Sequence, residues 1–143
     1  MTSVAHPRST TDTPRTRSIW VAGALTAVVA VLANSAIYLL GQLTPAEWAV
    51  VQAGTTAQLP VFAPASASVL GVAAGTLALW VLARFSWGLV VWTVGAVVVA
   101  LGSLPAPFQA AADVWTGVLL ALMHVVALVV ALFLLRPAGR RRT

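Results

Sequence analysis

The fold is decided by the segment VLLALMHVVALVVALFLL, residues 118–135, an apolar run with a single ionisable side chain. A helix of about 20 residues crosses the hydrocarbon core of a bilayer, so a run of this length predicts a membrane-spanning helix. Comparable runs occupy residues 19–40, 65–83 and 86–104, and the quoted run itself extends over 114–135. The sequence therefore predicts an all-α membrane protein with four transmembrane helices.

The composition of the chain agrees with this prediction. Of its 143 residues, 60% are hydrophobic and only 8% are charged, and the mean hydropathy is +0.96. A soluble domain carries about 25% charged residues and has no core that could bury so much apolar surface. Cysteine is absent, which excludes disulfides, thiolate metal sites and enzymes that use a cysteine nucleophile.

The arginines determine the predicted orientation. The chain has no lysine, and its eight basic residues lie at the ends of apolar runs and never within one. Cytoplasmic loops of membrane proteins carry the positive excess, and this placement fits that rule better than it fits nucleic-acid binding, which the sequence pI of about 11.8 would otherwise suggest. The residues assigned to the cytoplasmic side are Arg15, Arg17, Arg84, Arg136, Arg140, Arg141 and Arg142.

The connections on the opposite side carry no arginine and hold Glu47 and Asp113. We therefore predict an up-down antiparallel four-helix bundle in the plasma membrane, with both termini cytoplasmic and with the arginine clusters contacting anionic lipids of the inner leaflet. The transmembrane domain covers residues 19–136. The flanking segments, residues 1–18 and 137–143, are basic cytoplasmic tails, and the composition of the first predicts disorder.

An outer lid is predicted over residues 42–64, the longest connection between spans. Residues 48–51 and 58–62 are rich in residues that favour strands, and a glycine lies between the two runs. A short hairpin, an irregular lid and a short helix are the alternatives for this segment. A lone hairpin is marginal in water, so it would rest on the helices or on the bilayer.

Small residues form a narrow stripe on each predicted span. In lipid, helices associate through close backbone packing at such residues and through interhelical hydrogen bonds. The glycines that we assign to helix packing are Gly23, Gly71, Gly75, Gly88, Gly95, Gly102 and Gly117.

His124 and Asn34 are the polar centres of two of these stripes, and their predicted depths in the membrane differ by only about 5 Å at a helical rise of ~1.5 Å per residue. Two interpretations follow. The favoured one is a neutral imidazole hydrogen-bonded to Asn34, Ser35 or Tyr38, which would hold two helices together. The alternative is a polar cavity in which His124 relays protons or binds a solute.

The remaining residues do not assemble into a recognisable catalytic or metal site. A zinc site needs three or four ligands, whereas the membrane region has one histidine and two acids at its outer side. No triad of Ser, His and acid, no phosphate-binding loop and no catalytic carboxylate pair can be placed. We expect a non-enzymatic protein without metal or cofactor.

The segments ALMHVVALVV and ANSAIYLL, the proline-rich link SLPAPFQAAAD and the arginine turn after the second span resemble an uncharacterised family of small four-span actinobacterial membrane proteins. This family is classed only as a domain of unknown function, and the resemblance covers about residues 19–136. It implies a bacterial plasma-membrane protein and no known activity. We expect a structural, regulatory or accessory role, alone, as a homo-oligomer or with a membrane partner. The alternative is a small transporter or channel that uses His124, Asn34 and Tyr38.

Overall fold

The computed structural model describes residues 13–140, with side chains from residue 18 onward. In chain order, this part of the protein contains α1 Thr13–Gly41, β1 Ala49–Gln52, β2 Thr55–Gln58, α2 Ala63–Leu82, α3 Gly88–Ser103, α4 Pro105–Ala110 and α5 Val114–Ala138. The segments long and apolar enough to cross a membrane are Ser18–Gly41, Ala63–Leu82, Gly88–Ala110 and Val114–Ala138. The predicted fold class, four such helices with a short hairpin, is confirmed.

The long helices pack unevenly around α1. Helix α1 packs closely along both α2 and α5, whereas α3 meets α2 and α5 only sparsely. The main apolar core lies at one end, where Ile19, Leu79, Ala83, Trp92 and Leu135 are buried together. This end joins the start of α1 and of α3 to the last turns of α2 and α5, so successive spans run in alternating directions. The hairpin lies at the other end.

Two helix ends differ from the expected ones. Helix α1 begins at Thr13, so residues 13–18 are helical and not disordered, and residues 1–12 lie outside the described part. Pro14 does not interrupt this start, because a proline in the first helical turn leaves no required N–H unpaired. Helix α5 continues to Ala138 with Pro137 in its final turn, three residues beyond the predicted limit.

The link between the third and fourth spans is mostly helical, although the predicted third span ended at residue 104. The short helix α4 follows α3 after Leu104, and Pro105 starts it. Proline fits at this position because its fixed φ matches a helix and its missing N–H is not needed there. The third candidate span therefore reaches Ala110 instead of residue 104.

The connection between α1 and α2 contains the hairpin, with a different second strand from the predicted one. Ala49 pairs with Gln58 and Gln52 with Thr55, so β2 ends before the residues 59–62 that we assigned to it. The turn is Ala53 and Gly54, with φ of 48° and 79°, and positive φ at both positions defines the turn that matches strand twist. Ala112 N–H donates to Ala49 O at 2.9 Å, which attaches the hairpin to the segment before α5.

Candidate functional site

A cleft lies between α2, α3 and α5. Its volume is about 760 Å³. We call it the interhelical cleft. The wall on α2 includes many small residues (Ala67, Gly71, Ala74, Gly75, Ala78). The wall on α3 combines small and large residues (Val91, Trp92, Gly95, Ala96, Val99, Ala100, Ser103), and the wall on α5 is mostly aliphatic (Leu120, Met123, His124, Ala127, Leu128, Ala131, Leu135). Many of these residues remain exposed, so the cleft is open to the surroundings of the helices.

The cleft exists because α3 is held close to α2 at only one end. The buried Trp92 indole donates a hydrogen bond from Nε1 to Gly75 O at 2.8 Å. Gly88 approaches the backbone of Leu82 so closely that any Cβ would collide with its carbonyl. Apart from these contacts α3 meets α2 only sparsely, and the buried indole of Trp92 lies between the two helices.

The predicted glycine stripes divide into two groups. A Cβ on Gly23 would lie 2.6 Å from Thr76 side-chain atoms, and one on Gly117 would lie 3.0 Å from Phe108 Cδ1, so both positions permit close packing, as Gly88 does. The other glycines make no comparably close contact at an added Cβ, because among the described residues no neighbour outside their own helix lies within 4 Å of it, and their assignment to helix packing stays a prediction. These are Gly71, Gly75, Gly95 and Gly102. The first three line the cleft.

Asn34 is buried on α1 and pairs with a residue that the sequence analysis did not single out. Its Nδ2 donates to Ser68 Oγ at 2.9 Å, and Ser68 Oγ in turn donates to Pro64 O at 2.6 Å. This is the polar contact between α1 and α2. Ser68 and Thr76 lie eight residues apart on one face of the second span. This repeat of hydroxyl residues is the sequence pattern that could have predicted the contact with α1.

His124 lies on the cleft face of α5 and does not bond to α1. Its Nδ1 is 2.8 Å from Leu120 O, and a carbonyl oxygen only accepts, so Nδ1 carries the proton and Nε2 of a neutral ring is an acceptor. The expected hydrogen bond between His124 and the first span is therefore not formed. Residues 120, 124, 127 and 131 share the helix face turned to the cleft, and α1 packs elsewhere on α5.

The other two residues of the predicted polar site lie near the hairpin end. The Tyr38 hydroxyl donates to Leu59 O at 3.5 Å, and its ring centroid is 4.4 Å from that of Trp48. Ser35 is half-buried beside Asn34 but does not line the cleft. Trp48 does line it, although it was not among the residues predicted for the site.

A hydrogen-bond network at the hairpin end positions Trp48. Trp48 N–H donates to Thr116 Oγ1 at 3.0 Å, and Thr116 Oγ1 donates to Asp113 Oδ2 at 2.5 Å. Asp113 also caps α5 by accepting from Thr116 N–H at 2.9 Å, and it accepts from Glu47 N–H at 3.1 Å. The hydrogen bonds from the Thr116 hydroxyl and backbone lower the pKa of the Asp113 carboxyl below its ordinary value.

The opposite end carries the aromatic and basic residues. The Arg84 guanidinium lies 4.4 Å from the centroid of the Trp80 ring, and Trp80 lies 6.3 Å from Trp20. Arg136 and Arg140 follow in the last turn of α5 and just beyond it. The side chains of Arg15 and Arg17, and all of Arg141 and Arg142, lie outside the described part. The described arginines therefore share one end of the molecule.

The chemistry available in the cleft is hydrogen bonding and apolar contact. Its polar side chains are Asn34, Ser68, Ser103 and His124, together with the indole N–H groups of Trp48 and Trp92. No arginine, aspartate or glutamate lines it. Within residues 13–140, no group of three or more His, Asp or Glu side chains is arranged to hold a metal ion. The absence of a cofactor or catalytic site stays a prediction.

A family model matches residues 14–141, which is most of the chain. The chain belongs to DUF6069, a family of unknown function. This confirms the expected membership of a domain-of-unknown-function family, whereas the actinobacterial source stays a prediction. No curated protein and no solved structure matches the chain.

Proposed function

We propose that this DUF6069 protein is a non-enzymatic accessory protein of the plasma membrane that binds a lipophilic small molecule in the interhelical cleft. The observation that carries the proposal is the unfilled space of about 760 Å³ between α2, α3 and α5. Sites for small molecules in proteins have volumes of about 300–1,000 Å³ and are mostly apolar with a few polar groups. The cleft has both properties.

The lining of the cleft favours a narrow ligand. Small residues form its α2 wall, and the Trp92 indole bridges α3 and α2 there. A helix from a partner has a diameter of about 10 Å. An extended hydrocarbon chain needs less width and would contact the small residues of α2 directly.

The proposed orientation places the arginine-bearing end in the cytoplasm and the hairpin outside. Arg84, Arg136 and Arg140 are at one end and the acidic residues Glu47 and Asp113 at the other. This distribution supports both termini inside by the positive-inside rule. The arginines would contact anionic lipid head groups there.

The transport alternative uses the same cleft through His124 and receives less support. Transport of a proton or polar solute needs a chain of polar groups or a water-filled path. The wall around His124 consists of Leu120, Ala127, Leu128 and Ala131, so its polar neighbours are few. We therefore favour ligand binding over the transport of a proton or a polar solute.

Photolabelling tests the proposed binding. The purified protein in lipid nanodiscs is exposed to a panel of diazirine-bearing C16 probes, a hydrocarbon, an alcohol and a carboxylate, and labelled peptides are mapped by mass spectrometry. We expect at least one probe to label cleft-lining residues in a saturable way that an unlabelled probe competes. Gly71→Leu should reduce this labelling about tenfold or more, because its side chain would enter the cleft at a position with free space.

The matched control is Ala73→Leu, on the same helix but exposed and outside the cleft. It should leave the labelling unchanged. Labelling that no competitor reduces, for every probe in the panel, would contradict the proposed function.

A further inference from the structure

His124 has a ring nitrogen in the interhelical cleft that pairs with no other group of the protein. The residue lines the cleft and is exposed. Its Nδ1 donates to Leu120 O at 2.8 Å, and among the described residues the ring makes no other hydrogen bond. The two nitrogens of an imidazole point in different directions, so Nε2 points away from the backbone that binds Nδ1. Its lone pair is therefore available to a molecule from outside the chain.

The other polar side chains of the cleft are buried or already paired. The hydroxyls of Ser68 and Ser103 each donate to a carbonyl of their own helix, and the Trp92 indole N–H donates to a carbonyl of α2. Asn34 and Trp48 are only 5% and 4% exposed. Of the polar side chains that line the cleft in the described part of the chain, only that of His124 is classed as exposed. A ligand would thus meet an acceptor there.

We propose that the ligand of the cleft is a neutral lipophilic alcohol or phenol whose hydroxyl group donates a hydrogen bond to Nε2 of His124. The inference rests on the proposed function and specifies the ligand. A hydroxyl group has the donor that the lone pair of Nε2 needs, whereas an ether, a ketone and a hydrocarbon have none. In lipid, an alkyl chain gains little hydrophobic free energy by entering an apolar cleft, so this hydrogen bond would provide the discrimination between lipophilic molecules.

The lining of the cleft selects a neutral ligand. No arginine, aspartate or glutamate lines it, and a charge in an apolar site is strongly unfavourable unless it is paired. A neutral imidazole with its proton on Nδ1 needs no counter-ion. A carboxylate or an ammonium group at this place would find none.

The depth of His124 also excludes lipids with a charged head group. His124 is ten residues from the start of α5 at Val114, about 15 Å along the helix at ~1.5 Å per residue. This is about half of the ~30 Å hydrocarbon core of a bilayer. The head group of a phospholipid stays at the membrane surface and cannot reach that level. A neutral alcohol or phenol with no other polar group can leave the surface at a smaller cost.

Competition between two isomers tests this inference. Hexadecan-1-ol and 1-methoxypentadecane have the same formula, and both contain an oxygen acceptor, but only the alcohol has a donor. In nanodiscs, each competes at equal mole fraction in the bilayer with the diazirine-bearing C16 probe that labels the cleft. We expect the alcohol to compete about 3- to 10-fold more strongly, as one net hydrogen bond provides.

Variants of α5 assign this preference to His124. His124→Phe retains a ring but removes the acceptor and should reduce the ratio of alcohol to ether affinity toward one, whereas His124→Gln, which supplies an amide oxygen, should restore part of the ratio. Val125→Phe is the matched control, because Val125 is on the same helix, exposed and outside the cleft. It should leave the ratio unchanged. Since the ratio compares two molecules on one variant, a general loss of stability does not imitate the effect.

Nitrogen NMR reports on the atom itself and needs no variant of the site. The sequence has two histidines, so His6→Gln leaves His124 as the only one. In this full-length protein, labelled with ¹⁵N at histidine, Nε2 should give the signal of an unprotonated ring nitrogen. That signal should shift on addition of hexadecan-1-ol and not on addition of 1-methoxypentadecane.

The contrary outcomes separate the inference from the proposed function. Saturable labelling with equal competition by the two isomers, or a proton found on Nε2, would overturn the inference and leave the proposed function intact. A ratio that Ser103→Ala abolishes and His124→Phe does not would place the hydroxyl at the other exposed end of the cleft, and would also overturn it. Labelling that no competitor reduces would overturn both.

Discussion

Trp48 shows how much of the site depends on one residue. Its φ of 51° lies in the left-handed region, which a bulky residue adopts only when its surroundings hold it there. The backbone is held on both sides, since its N–H donates to Thr116 and its carbonyl accepts from Leu59 N–H at 2.7 Å. The indole covers Gly41 at the end of α1. A loop residue thus becomes part of the cleft wall.

Gly41→Ala should displace this indole and destabilise the protein by about 1–3 kcal/mol, the usual range for overpacking a filled site. An added Cβ would collide with the Trp48 ring and would lie 2.8 Å from Leu119 Cδ1. Equilibrium unfolding in mixed micelles measures the change. Gly102→Ala is the matched control, because it is also a helical glycine but has no described neighbour within 4 Å of an added Cβ. It should be neutral or slightly stabilising, and equal losses for both variants would argue against steric displacement.

The hairpin and α5 are connected through the carboxylate of Asp113. This side chain caps α5 and also binds the backbone of Glu47, which lies just before β1. The cap satisfies one N–H of the first helical turn, and the second hydrogen bond holds the outer connection against the helix. The hairpin alone has four residues in each strand and would be marginal without this attachment.

The stability of this junction should depend on pH. The hydrogen bonds that Asp113 accepts lower the pKa of its carboxyl in the folded protein, so the folded state favours the ionised form. The stabilisation is fully present above the unfolded pKa of about 3.9 and is lost as pH falls through the lower folded pKa. The melting temperature should therefore decrease on acidification below about pH 4.

Asp113→Asn should lower the melting temperature at neutral pH and flatten this acid dependence, as differential scanning fluorimetry at a series of pH values would measure. Glu47→Gln is the control, since the interaction of residue 47 uses only its backbone N–H. That variant should retain the acid dependence of the native protein. An unchanged slope in Asp113→Asn would assign the acid sensitivity to other groups.

The four long helices pack asymmetrically, and the two ends of the molecule carry different residues. One end carries Arg84, Arg136 and Arg140 with the Trp80 and Trp20 rings, and the other carries the hairpin. The uneven packing of α3 opens the cleft on one side only. The first asymmetry supports the proposed orientation, and the second places the proposed ligand site between α2, α3 and α5.

Cysteine labelling checks the orientation without removing native thiols, because the sequence has none. Thr56→Cys on the exposed strand β2 should react with a membrane-impermeant maleimide added to intact cells, whereas Arg140→Cys should react only after the membrane is opened. Position 139 is unsuitable, since Gly139 is buried against Leu79 and Leu89. The reverse labelling pattern would contradict the orientation inferred from the positions of the arginines.

The sequence by itself determined the fold class, the number of candidate spans and the segregation of charge. These properties follow from the length of apolar runs and from where arginines are placed, and both are local features of the chain. It also identified Asn34 and His124 as polar residues on inward-facing stripes. A hairpin was one of the alternatives for residues 42–64, but the sequence did not predict which residues of its two strands pair.

Only the tertiary structure decided which stripes meet. Asn34 bonds to Ser68 and not to His124, and Gly71, Gly75 and Gly95 face open space and not a helix. A periodic pattern specifies the face of a helix on which a residue lies, but it contains no information on the rotation of each helix relative to its neighbours or on their separation. Those are set here by the indoles of Trp92 and Trp48, whose contacts depend on residues distant in the chain.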